Sequence, residues 1–325
     1  MKDMRSPVLF VIFNRPETTA QVFEVIRACR PPKLYIAADG PRPDVPGEQD
    51  KCRQSREMAM RVDWPCDVKT LFRDENSGCK HAVSTAISWF FKNEPEGIIL
   101  EDDCLPDPSF FRFCDELLAH YRDDERVFTI SGSYLSNDHF ISMESYFFSR
   151  HFRVWGWASW RRAWEHYDIN MPGWPKIRKS SVLKKIGDNN IIYQNYWKSE
   201  FDRTYSGKIN TWDYQWLYAH LIHGRLTILP RVNLVKNIGF GGDATHTSNT
   251  NSLEANLNLH SMQFPLIHPE AVFRNNIAED KRIDFLHFGI EQFKHTKRRS
   301  FHTRLRSSVL KRLNMINSWR SIYKS

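Results

Sequence analysis

The chain has 325 residues, which is enough for one large domain or two, and its 41% hydrophobic and 26% charged residues are typical of a globular protein. Its net charge of +8 comes from one end, because residues 292–325 contain ten Lys or Arg and no Asp or Glu, which leaves 36 basic against 38 acidic residues elsewhere. A nearly neutral body without a recognisable nucleic-acid-binding module argues against nucleic acid as a partner.

The N-terminal segment predicts a β-strand and no membrane anchor. The apolar run at 7–14 is far shorter than the ~20 residues of a membrane-spanning helix, and no signal-peptide cleavage pattern follows it. The six cysteines, at positions 29, 52, 66, 79, 104 and 114, lack the paired spacing of metal ligands. We therefore expect reduced thiols and a cytoplasmic protein.

Strand and helix patterns alternate over the first 135 residues. Strands are predicted at 7–14, 33–40, 67–74, 97–100 and 126–133. Helices are predicted from Pro16, over 48–62, from Gly78 to Phe91 and from about Ser109 to Tyr121. This alternation predicts an α/β fold with a mostly parallel central sheet and helices on both faces. In such sheets, ligands bind beyond the carboxyl ends of the strands.

Charged residues end three of the predicted strands. Arg15 follows the first strand, Asp39 ends the second, and Glu101, Asp102 and Asp103 end the fourth. Neither a G-x-G-x-x-G loop nor a Walker-type Gly-Lys-Ser/Thr loop occurs in the sequence, so the phosphates of a bound nucleotide would need other partners. Mg²⁺ or Mn²⁺ is the natural candidate, because carboxylate oxygens bind these cations and the cations bridge phosphate oxygens.

The three carboxylates also have a plainer interpretation. A solvated acidic turn that caps the next helix would place the same residues here, since the sequence DPS that follows is typical of a helix start. Strand periodicity predicts that Glu101 and Asp103 face one way and Asp102 the other, so that one cluster could reach both a metal and a sugar.

The order of several motifs resembles that of a known enzyme family. A strand ending in Glu-Asp-Asp, followed by a proline and a helix that opens with PSFF, resembles the Asp-x-Asp element of nucleotide-sugar glycosyltransferases with the GT-A fold. The sequences FNRPETT, AADG, VWGWASWRRAW (154–164) and TWDYQW (211–216) fit the same comparison, which spans roughly residues 7–250. The chain is most similar to the N-acetylglucosaminyltransferase I type and its bacterial family 2-like relatives.

The resemblance implies roles for the acidic motif. Asp103 is expected to be the direct metal ligand, while Glu101 and Asp102 contact the nucleotide or the sugar. His246, in the Gly-rich and polar stretch 237–252, is expected to complete the metal or pyrophosphate site when that stretch closes as a lid. This stretch departs from the sequence of the animal enzymes.

Residues of the first half are assigned to the donor by the same resemblance. Asp39 resembles the residue that hydrogen-bonds the nucleotide base, and Arg15 resembles the residue that contacts the pyrophosphate. Asp-Gly and Arg-Pro are also ordinary turn sequences, which is the alternative for both. Lys80, or its neighbour His81, is expected to line the nucleotide pocket, unless it belongs to an exposed helix face.

The resemblance implies that Asp213, in TWDYQW, is the catalytic base. Transfer in this type of enzyme is one displacement with inversion, and a carboxylate takes the proton from the acceptor hydroxyl. The alternative for Asp213 is structural, because Thr211 is predicted to be an N-cap and the helix dipole favours a carboxylate in the first helical turn.

The block at 154–164 contains the tryptophans Trp155, Trp157, Trp160 and Trp164. Aromatic faces bind the apolar faces of sugar rings, and the resemblance places the Gly-Trp pair that includes Trp157 over the donor. The alternative is a loop that packs against the sheet.

The basic tail has a helical pattern. From Leu305 to Tyr323, apolar residues recur at steps of three or four, with lysines and arginines on the other faces. This pattern is typical of a helix that lies on an anionic membrane surface. The alternative is a C-terminal helix that docks on its own domain.

Together these features predict a metal-dependent inverting glycosyltransferase with a Rossmann-like nucleotide-sugar-binding half at 1–135, an acceptor-binding and catalytic half at 136–290 and a tail at 291–325. The expected cofactor is Mn²⁺ or Mg²⁺, the donor a nucleotide diphosphate sugar, foremost a UDP-sugar such as UDP-GlcNAc, and the acceptor a glycan or lipid-linked glycan. Such an enzyme would act in bacterial envelope polysaccharide synthesis, at the cytoplasmic face of the membrane.

Two other classes of protein remain as alternatives. A nucleotidyltransferase that makes a nucleotide sugar would share the parallel sheet, but its first loop usually contains glycine, which FNRPETT lacks. A non-catalytic protein that binds glycans or membranes leaves the three carboxylates unexplained.

Overall fold

The computed structural model describes residues 4–134, 143–240 and 254–274, together with Asp280 and Ile283. Packing divides the chain into two units, Met1–Ile277 and Ala278–Ser325, and all elements named below belong to the first unit. Within the described ranges, no helix is both long enough and apolar enough to cross a bilayer. His246 and the predicted tail helix lie outside the described residues.

Strands and helices alternate along the first half of the chain, and each element predicted there is confirmed with small differences at its ends. The strands are β1 Val8–Ile12, β2 Lys33–Ala38, β3 Asp67–Phe72, β4 Glu96–Glu101, β5 Cys104–Pro106, β6 Val127–Ser131, β7 Tyr146–Ser149, β8 Trp157–Trp160, β9 Leu226–Pro230 and β10 Val235–Asn237. The helices are α1 Pro16–Cys29, α2 Glu48–Ala59, α3 Gly78–Asn93, α4 Ser109–His120, α5 Arg161–Trp164, α6 Trp174–Ile177, α7 Val182–Ile186, α8 Ile191–Tyr205 and α9 Asp213–His223.

An eight-stranded sheet, in the order β3-β2-β1-β4-β8-β6-β9-β7, forms the centre of this unit. Strands β3, β2, β1 and β4 are parallel neighbours, and β6 and β9 are also parallel. The predicted α/β class, with a mostly parallel central sheet and helices on both faces, is confirmed. Because β1 lies between β2 and β4, the carboxyl ends of these three strands are adjacent.

Strand β8 corrects one detail of the packing alternative for the tryptophan block, because the block packs in the core as a strand of the sheet and not as a loop. β8 pairs antiparallel with β4 on one side and with β6 on the other. Both faces of the sheet are covered, so Trp157 and Trp160 of this strand are buried. The second half of the chain is thereby joined to the first half through the sheet.

Apolar side chains on the two faces of the sheet form two separate cores. Val8 and Phe10 of β1 belong to the core that also contains α1 and α4, whereas Leu9 belongs to the core that contains α3 and α9. Such alternation is required of a strand whose two faces are both buried. The rigid sheet therefore fixes the positions of the residues that follow its strands.

Candidate active site

Arg15, which follows β1, lies beside the acids that follow β4. Its Nη1 donates to Asp103 Oδ2 at 2.6 Å and to Asp102 Oδ1 at 3.4 Å. Asp102 Oδ2 also accepts the Phe13 N–H at 2.9 Å. Burial lowers the pKa of Arg15, but Asp102 and Asp103 outweigh that effect, so its pKa is raised and it stays charged. A turn begins after Glu101, so strand alternation ends there, and the prediction that Asp102 faces away from Asp103 is wrong.

The three acids do not form a solvated helix cap. The residue that supports the start of α4 is Asp107, whose Oδ1 accepts the Ser109 N–H at 2.9 Å. Asp102 is only 5% exposed, and Glu101 and Asp103 are half-buried. The alternative of an acidic turn in water is therefore wrong, because these carboxylates are largely removed from solvent.

Glu101, at the end of β4, lies near Asp213, the first residue of α9. Burial raises the pKa of Glu101 to about 8, and the negative charges of Asp103, Asp102 and Asp213 add to the rise. Burial also raises the pKa of Asp102 to about 7, with Asp103 as the second cause. Like charges have such effects only at short range, so carboxylates from both halves of the chain converge on one site.

Asp213 is held at the start of its helix by a neighbouring hydroxyl. The N-cap position is occupied by Trp212, which makes no side-chain capping bond, so the predicted capping role of Thr211 is wrong. The Thr211 hydroxyl instead donates to Asp213 Oδ1. This hydrogen bond fixes the orientation of the Asp213 carboxylate.

The N-terminus of α3 forms another side of the site. Burial raises the pKa of the Cys79 thiol to about 12, and the charges of Glu101 and Asp213 raise it further. A Cβ placed on Gly78 would lie 3.8 Å from Nδ2 of Asn210. The segment that leads into α9 therefore lies against the start of α3, with Cys79 close to both carboxylates.

Asp39 follows β2 and anchors the same helix start. Its carboxylate accepts the backbone N–H groups of Ser77 at 3.0 Å and Gly78 at 3.1 Å. Lys80 lies in the first turn of α3, half-buried, and its ammonium group forms no ion pair with any described residue. His81 is exposed. Of the predicted donor residues, Asp39 is thus held at the helix start that carries Cys79, and Lys80 lies in the same first turn of α3.

A glycine allows a second loop to pass directly over Asp103. After β10, which pairs antiparallel with β5, the Ile238 N–H donates to the Asp103 carbonyl at 2.8 Å. The Gly239 N–H donates to Asn237 Oδ1 at 2.8 Å. A Cβ on Gly239 would overlap the Asp103 carboxylate. Gly239 therefore fixes the space in which Asp103 can bind a ligand.

Trp157, predicted to contact the donor sugar, has no exposed surface. Its ring lies 5.8 Å from that of Trp212 and 6.2 Å from those of Trp164 and Trp216. This position matches the packing alternative, because strand β8 directs Trp157 into the core between the sheet and α9. Trp157 is therefore not part of the site proposed below.

Trp155 is the half-buried tryptophan of the same block. Its ring meets that of Phe240 edge to face, with a centroid distance of 5.9 Å. Because Phe240 follows Gly239, which touches Asp103, this aromatic pair lies at the border of the acidic cluster. Its partly exposed rings offer the apolar surface that a sugar ring needs.

The donor set suits a divalent cation that is shared with a ligand. Four carboxylates and one guanidinium give a local balance of −3 when all are ionised. No group of three or more His, Cys, Asp or Glu among the described residues is arranged to hold a metal by itself. Mg²⁺ commonly takes only one or two carboxylates, with the remaining ligands from phosphates and water. Asp103 could supply one such ligand, and its Oδ1 accepts from the Cys104 thiol at 3.5 Å.

Three contributors to the site were not predicted in their present roles. The sequence predicts a helix cap at Thr211 and places Gly239 in a Gly-rich stretch, and it gives Phe240 no role. The only sequence signal was the G-F-G-G run at 239–242, since an isolated glycine beside a strand often marks close backbone approach.

No family model matches this chain, and no curated protein matches it. Among solved structures, the chain is similar to a UDP-glucose pyrophosphorylase complexed with UDP-glucose, with 9% identity over 50% of this chain and 79% of that chain and a TM-score of 0.30. It is also similar to mouse xyloside xylosyltransferase 1 in its apo form, with 10% identity over 69% of this chain and 84% of that chain and a TM-score of 0.36. Likenesses of this extent carry no argument about activity, so the function proposed below rests on the residues of the site.

Proposed function

We propose that this protein is a metal-dependent inverting glycosyltransferase that uses a nucleotide diphosphate sugar, foremost a UDP-sugar. One observation carries the proposal: Arg15 binds Asp102 and Asp103 at the carboxyl edge of the sheet, and the adjacent Glu101 lies close enough to Asp213 of α9 for their charges to interact. The acceptor is a glycan or a lipid-linked glycan.

The nucleotide half supplies the groups that bind a diphosphate. Arg15 and Lys80 are the two cations at the site, and a guanidinium can bind two phosphate oxygens at once. A carboxylate has about four acceptor sites, and the backbone bonds of Asp39 leave room for a contact with the base. Glu101 and Asp102 face the sugar and the ribose from the end of β4.

Asp103 is the residue of the described chain that would hold Mn²⁺ or Mg²⁺. When bound, such a cation offsets the negative charge that develops on the departing diphosphate. The cation would also offset the negative charge of the carboxylates that Arg15 does not neutralise. His246, outside the described residues, is retained as a second proposed ligand.

Asp213 is the proposed general base. It lies at the start of α9, at the border between the two halves, and receives a hydrogen bond from Thr211 that fixes its orientation. As an acceptor hydroxyl attacks the sugar carbon, Asp213 takes the hydroxyl proton while the bond to the diphosphate breaks. Trp155 and Phe240 provide the apolar wall on which a sugar ring can stack.

A donor screen tests the proposal. Melting temperatures are measured with UDP-, GDP-, CMP- and dTDP-sugars, each with and without Mn²⁺. We expect one nucleotide class to stabilise the protein, and to do so much more strongly with Mn²⁺. The stabilising donor is then incubated with glycan and lipid-linked acceptors, and nucleoside diphosphate release is measured. Stabilisation by none of the donors would contradict the proposal, and so would turnover of a nucleoside triphosphate with a sugar phosphate, which identifies a nucleotidyltransferase.

A further inference from the structure

Short helices between β8 and α9 present basic and apolar side chains together. In α6, α7 and the turn between them, the lysines at the surface are Lys176, Lys179, Lys184 and Lys185. Ile191 and Ile192, the first residues of α8, are 61% and 41% exposed. We call these six residues the lysine–isoleucine surface.

The lysines of α7 and the isoleucines of α8 are joined by a tight connection. The Asn189 N–H donates to the Lys184 carbonyl at 2.9 Å, and Asn190 caps α8 by accepting the Ile192 N–H at 2.9 Å. Leu183 of α7 and Tyr193, in the first turn of α8, are buried. Since these two point inward, the lysines and isoleucines between them face solvent.

The acidic residues from α6 to the end of α8 do not neutralise this surface, because each is paired with an arginine. Asp188 Oδ2 accepts from Arg150 at 2.8 Å and from Arg274 at 2.8 Å. Asp202 Oδ1 accepts from Arg178 at 2.7 Å. None of the four lysines forms an ion pair with a described residue. The surface thus combines uncompensated positive charge with exposed aliphatic side chains.

We propose that the lysine–isoleucine surface docks on an anionic lipid bilayer. Lysine is depleted at protein–protein interfaces, which argues against a protein partner. Lysines beside exposed aliphatic residues are what a membrane-surface helix presents, because the ammonium groups meet anionic headgroups while the apolar groups enter the headgroup–acyl boundary. This surface is separate in sequence from the basic residues at 292–325.

Docking at this surface would bring the membrane near the proposed base. Trp197 lies six residues beyond Ile191, about 9 Å along α8, and its ring is 6.1 Å from that of Tyr214, the neighbour of Asp213. A bilayer at the start of α8 is therefore well placed to present a lipid-linked acceptor. The acceptor step rests on the proposed function, whereas the docking does not.

Vesicle co-sedimentation of the full chain tests the docking. Vesicles of phosphatidylcholine with and without phosphatidylglycerol are compared, at low and high salt. The double variant Lys184→Gln/Lys185→Gln should bind anionic vesicles about 30-fold more weakly, from about fivefold per lysine. Ile191→Ser/Ile192→Ser should lose roughly tenfold, and that loss should persist at high salt. Lys92→Gln, at an exposed position of α3, is the matched control and should bind like the wild type.

The outcomes separate this inference from the proposed function. Each variant should keep the wild-type melting temperature and the wild-type stabilisation by the donor found in the screen. The inference is overturned if the wild type does not sediment with anionic vesicles, or if both double variants sediment as the wild type does. The second result would assign membrane binding to another part of the chain, whatever the enzymatic activity proves to be.

Discussion

Asp213, the first residue of α9, contributes to the raised pKa of Glu101, the last residue of β4. The strand belongs to the proposed nucleotide half and the helix to the proposed acceptor half. Charges that a soluble protein normally keeps apart are thus gathered at one edge of the sheet, with Arg15 as the guanidinium that binds two of them. Such an arrangement costs stability and is typical of functional sites.

Replacement of Arg15 separates its two roles. Arg15→Gln should weaken UDP binding by about 10- to 100-fold, because charge-assisted hydrogen bonds to phosphate are lost. The same change should strengthen binding of Mn²⁺ alone, because Asp102 and Asp103 lose their counterion. Titration calorimetry with each ligand measures both effects. Arg53→Gln, on the exposed face of α2, is the control. Unchanged UDP affinity in Arg15→Gln would show that Arg15 only neutralises the acids.

Variants of Asp103 and of Gly239, whose backbone passes over the Asp103 carboxylate, test the proposed cation site. Asp103→Asn should remove the dependence of UDP binding on Mn²⁺. Gly239→Ala should have the same effect, because the added methyl group would displace the Asp103 carboxylate. The φ angle of Gly239 is not in the left-handed region, so alanine is compatible with the backbone. Titration of UDP with Mn²⁺ and with a chelator gives the result. Full metal dependence in both variants would remove Asp103 from the cation site.

The acidic cluster predicts how stability without metal depends on pH. The folded chain holds protons on Glu101 and Asp102 up to pKa values of about 8 and about 7, whereas these groups lose their protons near pH 4 when unfolded. These two groups therefore contribute to the free energy of unfolding below about pH 4, and this contribution is lost as pH rises to about 8.

Urea denaturation of matched variants measures this contribution. Glu101→Gln should be more stable than the wild type near pH 8. This gain in stability should be smaller near pH 5. Glu165→Gln, at an exposed position, should change stability equally at both. Mn²⁺ should stabilise the wild type more near pH 8. A difference between Glu101→Gln and the wild type that does not change with pH would contradict the proposed electrostatics.

Replacing Trp155 and replacing Trp157 should have different effects, the first on ligand binding and the second on stability. Trp155→Ala should weaken binding of the nucleotide sugar while affinity for UDP stays the same, because Trp155 is proposed to stack on the sugar. Trp157→Ala should lower the free energy of unfolding by about 3–5 kcal/mol, because it empties a core position. Titration calorimetry and urea denaturation provide the two readouts. Equal losses of UDP and UDP-sugar affinity in Trp155→Ala would place the sugar elsewhere.

Most of the fold could be predicted because its elements are marked locally. Buried strands such as β1 and β4 are continuous apolar runs, and Pro16 and Gly78 mark helix starts. Strand β8 could not be predicted, because a block rich in Trp, Gly and Arg resembles a loop, and its strand conformation depends on pairing with β4 and β6.

The site residues whose positions follow from sheet topology alone could be predicted. Parallel strands bring their carboxyl ends together, so Arg15, Asp39 and Glu101 were expected at one edge. Contacts between distant segments were not predictable from local patterns. The Gly239 backbone over Asp103 depends on the pairing of β10 with β5, and the burial of Trp157 depends on the register of β8.

The most direct test of the proposed mechanism is Asp213→Asn, measured in parallel for donor binding and for transfer. Asparagine keeps the shape of the side chain and its place at the start of α9, but it cannot accept the proton. We expect wild-type UDP affinity in the presence of Mn²⁺ and a rate of sugar transfer to a glycan or lipid-linked acceptor that is lower by about 10²- to 10⁴-fold. Asp202→Asn is the control, because Asp202 is paired with Arg178, and it should transfer at close to the wild-type rate. Wild-type transfer by Asp213→Asn would contradict the account.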